Sequence, residues 1–192
     1  MIYSVSGVLT AKKEGFVVVE AHGVGYKVFV PARTYAELAA VGEPVSLFCH
    51  FHAREDAHDL YGFARESELS FFEKLLTVSG VGPRSGLAVM ALAPAHELAA
   101  AINEGKPELL TRAAGVGRKT AERIILELRG KLPALHSEDM VRRMESDIDV
   151  EEALVGLGYS HMHAKKVMAQ VGADAVGIEA RLRAALKLIK IK

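Results

Sequence analysis

The strongest constraint in this chain is a short turn that occurs twice. Val78-Ser79-Gly80-Val81-Gly82-Pro83-Arg84 and Ala113-Ala114-Gly115-Val116-Gly117-Arg118-Lys119 each hold one aliphatic residue between two glycines, and the copies lie 35 residues apart. Glycine admits backbone angles closed to other residues, so the triplet bends the chain tightly and brings bare amide N–H groups to the surface. Each turn then opens an apolar-periodic helix, whose first N–H groups lack partners and whose dipole presents its positive end there. That is a phosphate-binding device made of main chain.

A single glycine-bracketed turn between helices is often no more than a connection. Two copies, each followed by cations (Arg84; Arg118, Lys119 and Arg123), favour the anion-binding reading. A dinucleotide fingerprint does not fit, because helices rather than strands precede the turns and the third glycine is misplaced or absent. Gly117-Arg118-Lys119-Thr120 lacks both the Gly-Lys-Thr/Ser order and the leading glycine of a nucleotide-triphosphate loop, so ATP is not expected to bind there. Backbone amides contact phosphates and cannot read base edges. Binding is therefore expected to ignore sequence and to fall steeply with salt, with a log-log slope of roughly −0.9 per phosphate engaged.

Charge distribution supports a nucleic-acid partner where net charge does not. The 192-residue chain is neutral overall, half hydrophobic and a quarter charged, which fits a packed protein of one ordinary or two to three small domains. Residues 106–131 carry seven Lys/Arg against three Glu, residues 136–152 seven acids against two Arg, and the last 33 residues seven Lys/Arg against two acids. The basic segment that contains the second turn is thus local. One cysteine, Cys49, leaves no internal disulfide framework and suits a reducing compartment. No apolar run approaches the roughly 20 residues of a membrane span. The first residues lack a basic region ahead of an apolar core, so no signal peptide is expected and a cytoplasmic location is.

Residues 1–63 read as β, with runs at 2–10, 15–20, 25–30, 45–53 and 59–63 and one short helix at 34–39. Short strands of this number cannot bury their faces in a flat sheet. A small closed barrel is expected, of the oligonucleotide/oligosaccharide-binding (OB) type, with an SH3-like barrel reading much the same. After Phe63 the period becomes helical. Leu69, Phe72, Leu75 and Leu76 share one face before the first turn; Pro83 begins a helix carrying Leu87, Ala88, Ala91 and Leu92. Residues 94–103 form the next helix, with Leu98, Ala101 and Ile102 inward; Pro107 starts a short one with Leu109, Leu110 and Ala113; and Ala121, Ile124, Ile125 and Leu128 follow the second turn. Helix, turn, helix therefore occurs twice, as expected of a compact pseudo-symmetric domain. Residues 133–147 lack apolar periodicity and read as an acidic linker. Three short helices follow, the first stopped by Gly158, the second capped by Ser160 and carrying Ala164, Val167, Met168 and Val171, the third carrying Ile178, Leu182, Ala185, Leu186 and Ile189.

His50, His52 and His58 lie near Cys49, but strand alternation puts Cys49 on the opposite face from His50 and His52, and no tetrahedral metal set is expected. A Cys49–His50 nucleophilic pair fails for the same reason. His161 and His163, two apart on a helix, do not face one another.

Both turns resemble helix-hairpin-helix motifs, Gly115-Val116-Gly117-Arg118-Lys119-Thr120-Ala121-Glu122-Arg123 most closely. With the barrel segment His52-Ala53-Arg54-Glu55-Asp56-Ala57-His58-Asp59-Leu60-Tyr61-Gly62-Phe63 and the late segment Ala153-Leu154-Val155-Gly156-Leu157-Gly158-Tyr159, essentially the whole chain resembles the RuvA family of bacterial Holliday junction-binding proteins. The resemblance implies a multidomain α+β chain: an OB-like barrel with an acidic pin (1–63), an all-α domain with two helix-hairpin-helix motifs (64–132), an acidic linker (133–147) and a three-helix, UBA-like module (148–192). It implies DNA contacts from Ser79, Gly80, Val81, Gly82 and Arg84, from Ala114, Gly115, Val116, Gly117, Arg118, Lys119 and Arg123, and from Arg54.

Glu55 and Asp56, an ordinary solvated turn by themselves, become by resemblance the pin that projects into the centre of a four-way junction. A four-fold tetramer, or two such rings face to face, would gather eight carboxylates there, repelling phosphates by on the order of a few kcal/mol per pair at an effective dielectric near 20. The family further implies two partners, the ring-shaped ATPase RuvB and the resolving nuclease RuvC. Leu154, Leu157, Tyr159, Leu182 and Leu186 are the candidate RuvB contacts. The resemblance implies no catalytic residue, metal or cofactor in this chain, ATP being used by RuvB. Two rivals remain at this point: a helix-hairpin-helix glycosylase or lyase, whose catalytic acid could only be Asp139, in the expected linker with no large helical domain after it to build a cleft, and a generic hairpin scaffold without a pin.

Overall fold

The computed structural model describes residues 1–132, 138–172, 175 and 177–190, with side chains from Met144 onward in the helix that starts at Glu138. Two compact units divide the chain, Met1–Pro133 and Ala134–Lys192.

The first unit begins with five strands, β1 (Ser4–Lys13), β2 (Phe16–Ala21), β3 (Val24–Phe29), β4 (Pro44–Ala53) and β5 (His58–Phe63), closed in the order β1-β2-β3-β5-β4. Helix α1 (Ala32–Glu37) joins β3 to β4. Strands β3 and β5 pair parallel through Val28↔Leu60 and Phe29↔Tyr61, while β1 closes against β4 from Ser4↔Phe48 to Val8↔Pro44. Parallel closure with a helix between β3 and β4 is an OB-like arrangement rather than a plain meander. Alternation fills the barrel: Val17 and Val19 of β2 and Leu47 and Cys49 of β4 point in, joined by Val5, Leu9, Val28, Val30 and Leu60. Each such aliphatic side chain is worth about 1.5–3 kcal/mol relative to exposure. Cys49 belongs to this core, and burial pushes its thiol up to about 11. Its neighbour His50 faces outward, as alternation requires, with Nδ1 3.1 Å from Glu73 Oε1.

The helical part of this unit comprises α2 (Glu66–Leu76), α3 (Pro83–Met90), α4 (Ala95–Asn103), α5 (Pro107–Leu110) and α6 (Arg118–Leu128). Phe72 fastens it to the barrel. Its ring is fully buried, with centroids 4.9 Å from Phe63 and 5.7 Å from both Tyr61 and His50. Helix α4 carries Leu98, Ala99, Ala100, Ala101 and Ile102 all buried, so it is the centre around which the two hairpins pack. The inward face of α3 differs from the expected one. Gly86, Val89 and Met90 are buried, whereas Leu87, Ala88, Ala91 and Leu92 are only half-buried. Glycine sets this phase: a Cβ on Gly86 would lie 2.8 Å from the Phe72 ring, so α3 lies directly against α2 through a position that hydrophobicity alone does not mark.

The second unit consists of α7 (Glu138–Gly156), α8 (His161–Met168) and α9 (Ile178–Lys190) around Val150, Leu154, Ala164, Val167, Met168, Val171 and Ala185. Helix α7 corrects the linker expected at 133–147, since residues from Glu138 onward are helical and Met144 is buried; residues 133–137 lie outside the described residues. The physical reason is a hidden ion pair. Asp147 of α7 accepts from Nε of Arg181 of α9, whose side chain is 1 % exposed and also donates to the carbonyls of Ala175 (2.9 Å) and Gly172 (3.4 Å). Buried Arg181 in α9 and half-buried Asp147 in α7 interrupt the apolar period of both helices. Ile178, expected on the inner face of α9, is correspondingly turned outward, 46 % exposed. Removing one member of a buried pair leaves the other uncompensated, so Arg181 is structural.

Candidate nucleic-acid interface

The two turns adopt the same backbone. Gly80 and Gly115 take the left-handed region (φ +87° and +77°), while Gly82 and Gly117 are extended helix N-caps (φ −95°, ψ 174° and φ −81°, ψ 171°). Left-handed φ is where glycine is needed; at Gly82 and Gly117 the gain is space, since a Cβ there would meet nothing within 4 Å. Intrahelical bonding starts at Gly86 N–H to Gly82 O and Ala121 N–H to Gly117 O, both 2.9 Å. The amides before them, Arg84 and Ser85 in α3 and Arg118, Lys119 and Thr120 in α6, are left over at the positive helix ends.

Val81 and Val116 need correction as DNA contacts. Their amides donate within the turn, to Val78 O and Ala113 O at 3.0 Å each, and their side chains are buried (6 % and 4 %). They peg each turn onto the helical core, and an apolar residue two ahead of the first glycine, Val78 or Ala113, packs beneath in the same way. Ser79, Gly80, Ala114 and Gly115 are exposed. The donors that sequence reasoning missed are the Ser85 and Thr120 amides, which follow from counting orphan N–H groups from the cap.

The cations divide by what already holds them. Arg84 and Lys119 are exposed and have no carboxylate partner among the described residues. Arg118 Nε donates to Glu122 Oε1 at 3.0 Å, one turn on, and that bond raises its pKa further. A phosphate at the second turn must compete with Glu122 for Arg118.

Arg123 serves the other hairpin. Its Nη1 donates to Ser79 O at 3.0 Å and lies 3.7 Å from where a Gly80 Cβ would be, so α6 braces the first turn. Ser85 Oγ of α3 lies 3.2 Å from where a Cβ on Gly115 would be, so the second turn runs close to the first hairpin. Replacing Arg123 with Ala is expected to weaken duplex binding about tenfold, within the range for a hydrogen bond to a charged group. It is also expected to speed hydrogen exchange at the amides of residues 79–82. Lys119→Ala, which removes only a cation, leaves that exchange unchanged.

Glu55 and Asp56 sit at the exposed tip of the β4–β5 hairpin, closed by Arg54 N–H to Ala57 O at 2.8 Å. The base of this tip is tied down: Arg54 Nη2 donates to Asp59 Oδ2 at 3.3 Å and the Tyr61 hydroxyl to the same oxygen at 3.4 Å. Burial pushes the Tyr61 phenol above its ordinary value and Asp59 adds to this, while Arg54 and Arg84 pull it back. Arg84 of the first hairpin and Arg54 of the acidic tip belong to the same compact unit.

In the second unit, Leu154 is corrected to a core residue at 0 % exposure. Leu157 is 62 % exposed just before the helix-ending Gly158, and Tyr159, Leu182 and Leu186 are half-buried against the core. Of the five expected partner contacts, four thus keep some surface. Tyr159 also stacks on His163 (5.9 Å, 20°), and Ser160 caps α8 by accepting from the His163 amide. The Asp139 side chain lies outside the described residues.

An OB-like barrel carrying an acidic hairpin, joined to two helix-hairpin-helix turns of matching backbone, defines a protein class built to hold a polyanion by its backbone. Comparison with known proteins narrows the class. Residues 1–62 match the family described as RuvA N terminal domain, 72–131 the SAM-like helix-hairpin-helix tandem, and 149–190 the RuvA C-terminal domain. The chain is 39 % identical to a protein of Dehalococcoides mccartyi over 100 % of both chains, and 42 % identical to one of Cupriavidus necator over 98 % of both. It is 40 % identical to one of a Polaromonas species over 98 % of this chain and 99 % of the other. All three are named Holliday junction branch migration complex subunit RuvA. The chain belongs to the RuvA family.

Proposed function

We propose that this chain binds four-way DNA junctions by shape, without reading sequence, and serves as the non-catalytic subunit of a branch-migration complex. Its main-chain turns grip the duplex arms through phosphates, and Glu55 and Asp56 keep the crossover open by repulsion. Four copies, or two rings of four, surround the junction. The motor is the partner ATPase RuvB, held through the second unit by Leu157, Tyr159, Leu182 and Leu186, and RuvC acts on the same junction. The chain needs no cofactor of its own and works in the cytoplasm. The observation that carries this reading is the pair of turns with matching backbone, the first braced by Arg123 of the second hairpin, in one unit with an exposed acidic tip.

A truncation tests it. Because α7 begins at Glu138 and is part of the second unit, the cut belongs at 134 rather than 148. The chain ending at residue 133 is expected to bind a four-way junction within about twofold of full length, and to support no RuvB-driven branch migration. Migration at the full-length rate contradicts the partner role. Mass in solution with and without the junction decides between four and eight copies.

A further inference from the structure

On the outer face of the barrel, one ring from each of four neighbouring strands falls into a single row. The register sets Phe16 of β2 opposite Phe29 of β3, Phe29 opposite Tyr61 of β5, and Tyr61 opposite His50 of β4. Phe72 of α2 covers the His50 and Tyr61 end. The other end stays open. Phe16 and Phe29 meet edge to face at 6.3 Å and remain partly exposed, and exposed Lys27 holds Nζ 4.6 Å and 4.8 Å from their centroids. Phe29 stacks on Tyr61 (5.6 Å, 28°), and Tyr61 shares Asp59 with Arg54, the residue before Glu55. The open rings are therefore two contacts from the base of the acidic tip.

Duplex arms keep their bases stacked inside and offer nothing to an aromatic ring. Unpaired bases do, and single strands are bound where aromatic faces lie beside cations that follow the backbone. We infer that Phe16, Lys27 and Phe29 form a stacking site for unpaired bases released where strands exchange at the junction centre. This rests on the proposed function, because the junction supplies those bases. Lys27, which sits over both rings in the free chain, moves onto the phosphates of the released strand, and Phe16 and Phe29 take its base faces.

The test uses the full chain, with two probes: a four-way junction carrying 5-iodouracil at the crossover, and a short oligothymidine. Photocrosslinks in the junction complex are expected to map to Phe16 or Phe29. Oligothymidine binding is expected to weaken about tenfold for each ring replaced by Ala. Lys27→Glu, an exposed change that leaves both rings in place, weakens it several-fold and settles the matter where a ring variant folds poorly. Oligothymidine affinity unchanged in these variants, or crosslinks only elsewhere, overturns the site. So does a fall in solution mass on ring removal, which makes this face a contact between copies of the chain. Absence of junction binding by the unaltered chain overturns the proposed function instead, and the oligothymidine arm still decides the site.

Discussion

A chain carrying Gly82→Val and Gly117→Val together is expected to fold normally and to lose roughly a hundredfold or more in affinity for every DNA, linear or branched. Normal folding follows from geometry. Both positions have φ values open to any residue (−95° and −81°), and an added Cβ meets no protein atom within 4 Å. The space that receives the side chain is the space before the leftover amides of Arg84, Ser85, Arg118, Lys119 and Thr120. A phosphate held off by a branched side chain loses several charge-assisted hydrogen bonds, each worth about 1.5–3 kcal/mol. The neighbouring glycines behave differently. Val at Gly80 or Gly115 is forced into φ near +87° or +77°, at a cost of about 1–3 kcal/mol each, so affinity and stability fall together. Urea unfolding beside fluorescence anisotropy with labelled duplex separates the two cases.

Neutralising the acidic tip acts in another direction. Glu55→Gln with Asp56→Asn is expected to raise affinity for linear duplex about tenfold or more while changing junction affinity far less. Both carboxylates are exposed at the end of a closed hairpin, so their loss leaves the Arg54–Asp59–Tyr61 contacts beneath intact. In the proposed ring, a linear duplex laid across the assembly would pass its phosphates over these carboxylates. An open junction presents a gap there. The repulsion is screened over about 8 Å at physiological salt, so the effect shrinks as salt rises. A titration of each DNA at several salt concentrations measures it directly.

Glycine and alternation made most of this legible. The barrel strands follow two-residue periodicity, Cys49 and His50 fall on opposite faces as spacing requires, and both turns show in the chain as written. Three things were not legible, each for a physical reason. The phase of α3 is set by Gly86 against Phe72, a contact that exists only once α2 and α3 are folded together. Helix α7 hides because Asp147 and Arg181 neutralise each other across two helices, and a charge in an apolar slot reads as surface until its partner is known. The amides of Val81 and Val116 look bare in sequence but close their own turns. Arg123 illustrates the general difficulty: a cation after a glycine turn reads as a phosphate contact, and only the fold shows its guanidinium on the backbone of a turn 44 residues earlier.

Grip and choice are separated most directly by the ratio of affinities for a four-way junction and a linear duplex of the same sequence, taken in the unaltered chain and in both double variants. If the turns supply grip and the acidic tip supplies choice, Gly82→Val/Gly117→Val lowers both affinities in parallel and leaves the ratio nearly constant, whereas Glu55→Gln/Asp56→Asn collapses the ratio with the grip intact. A ratio that collapses in the glycine variant and survives in the acidic-tip variant contradicts that division of roles.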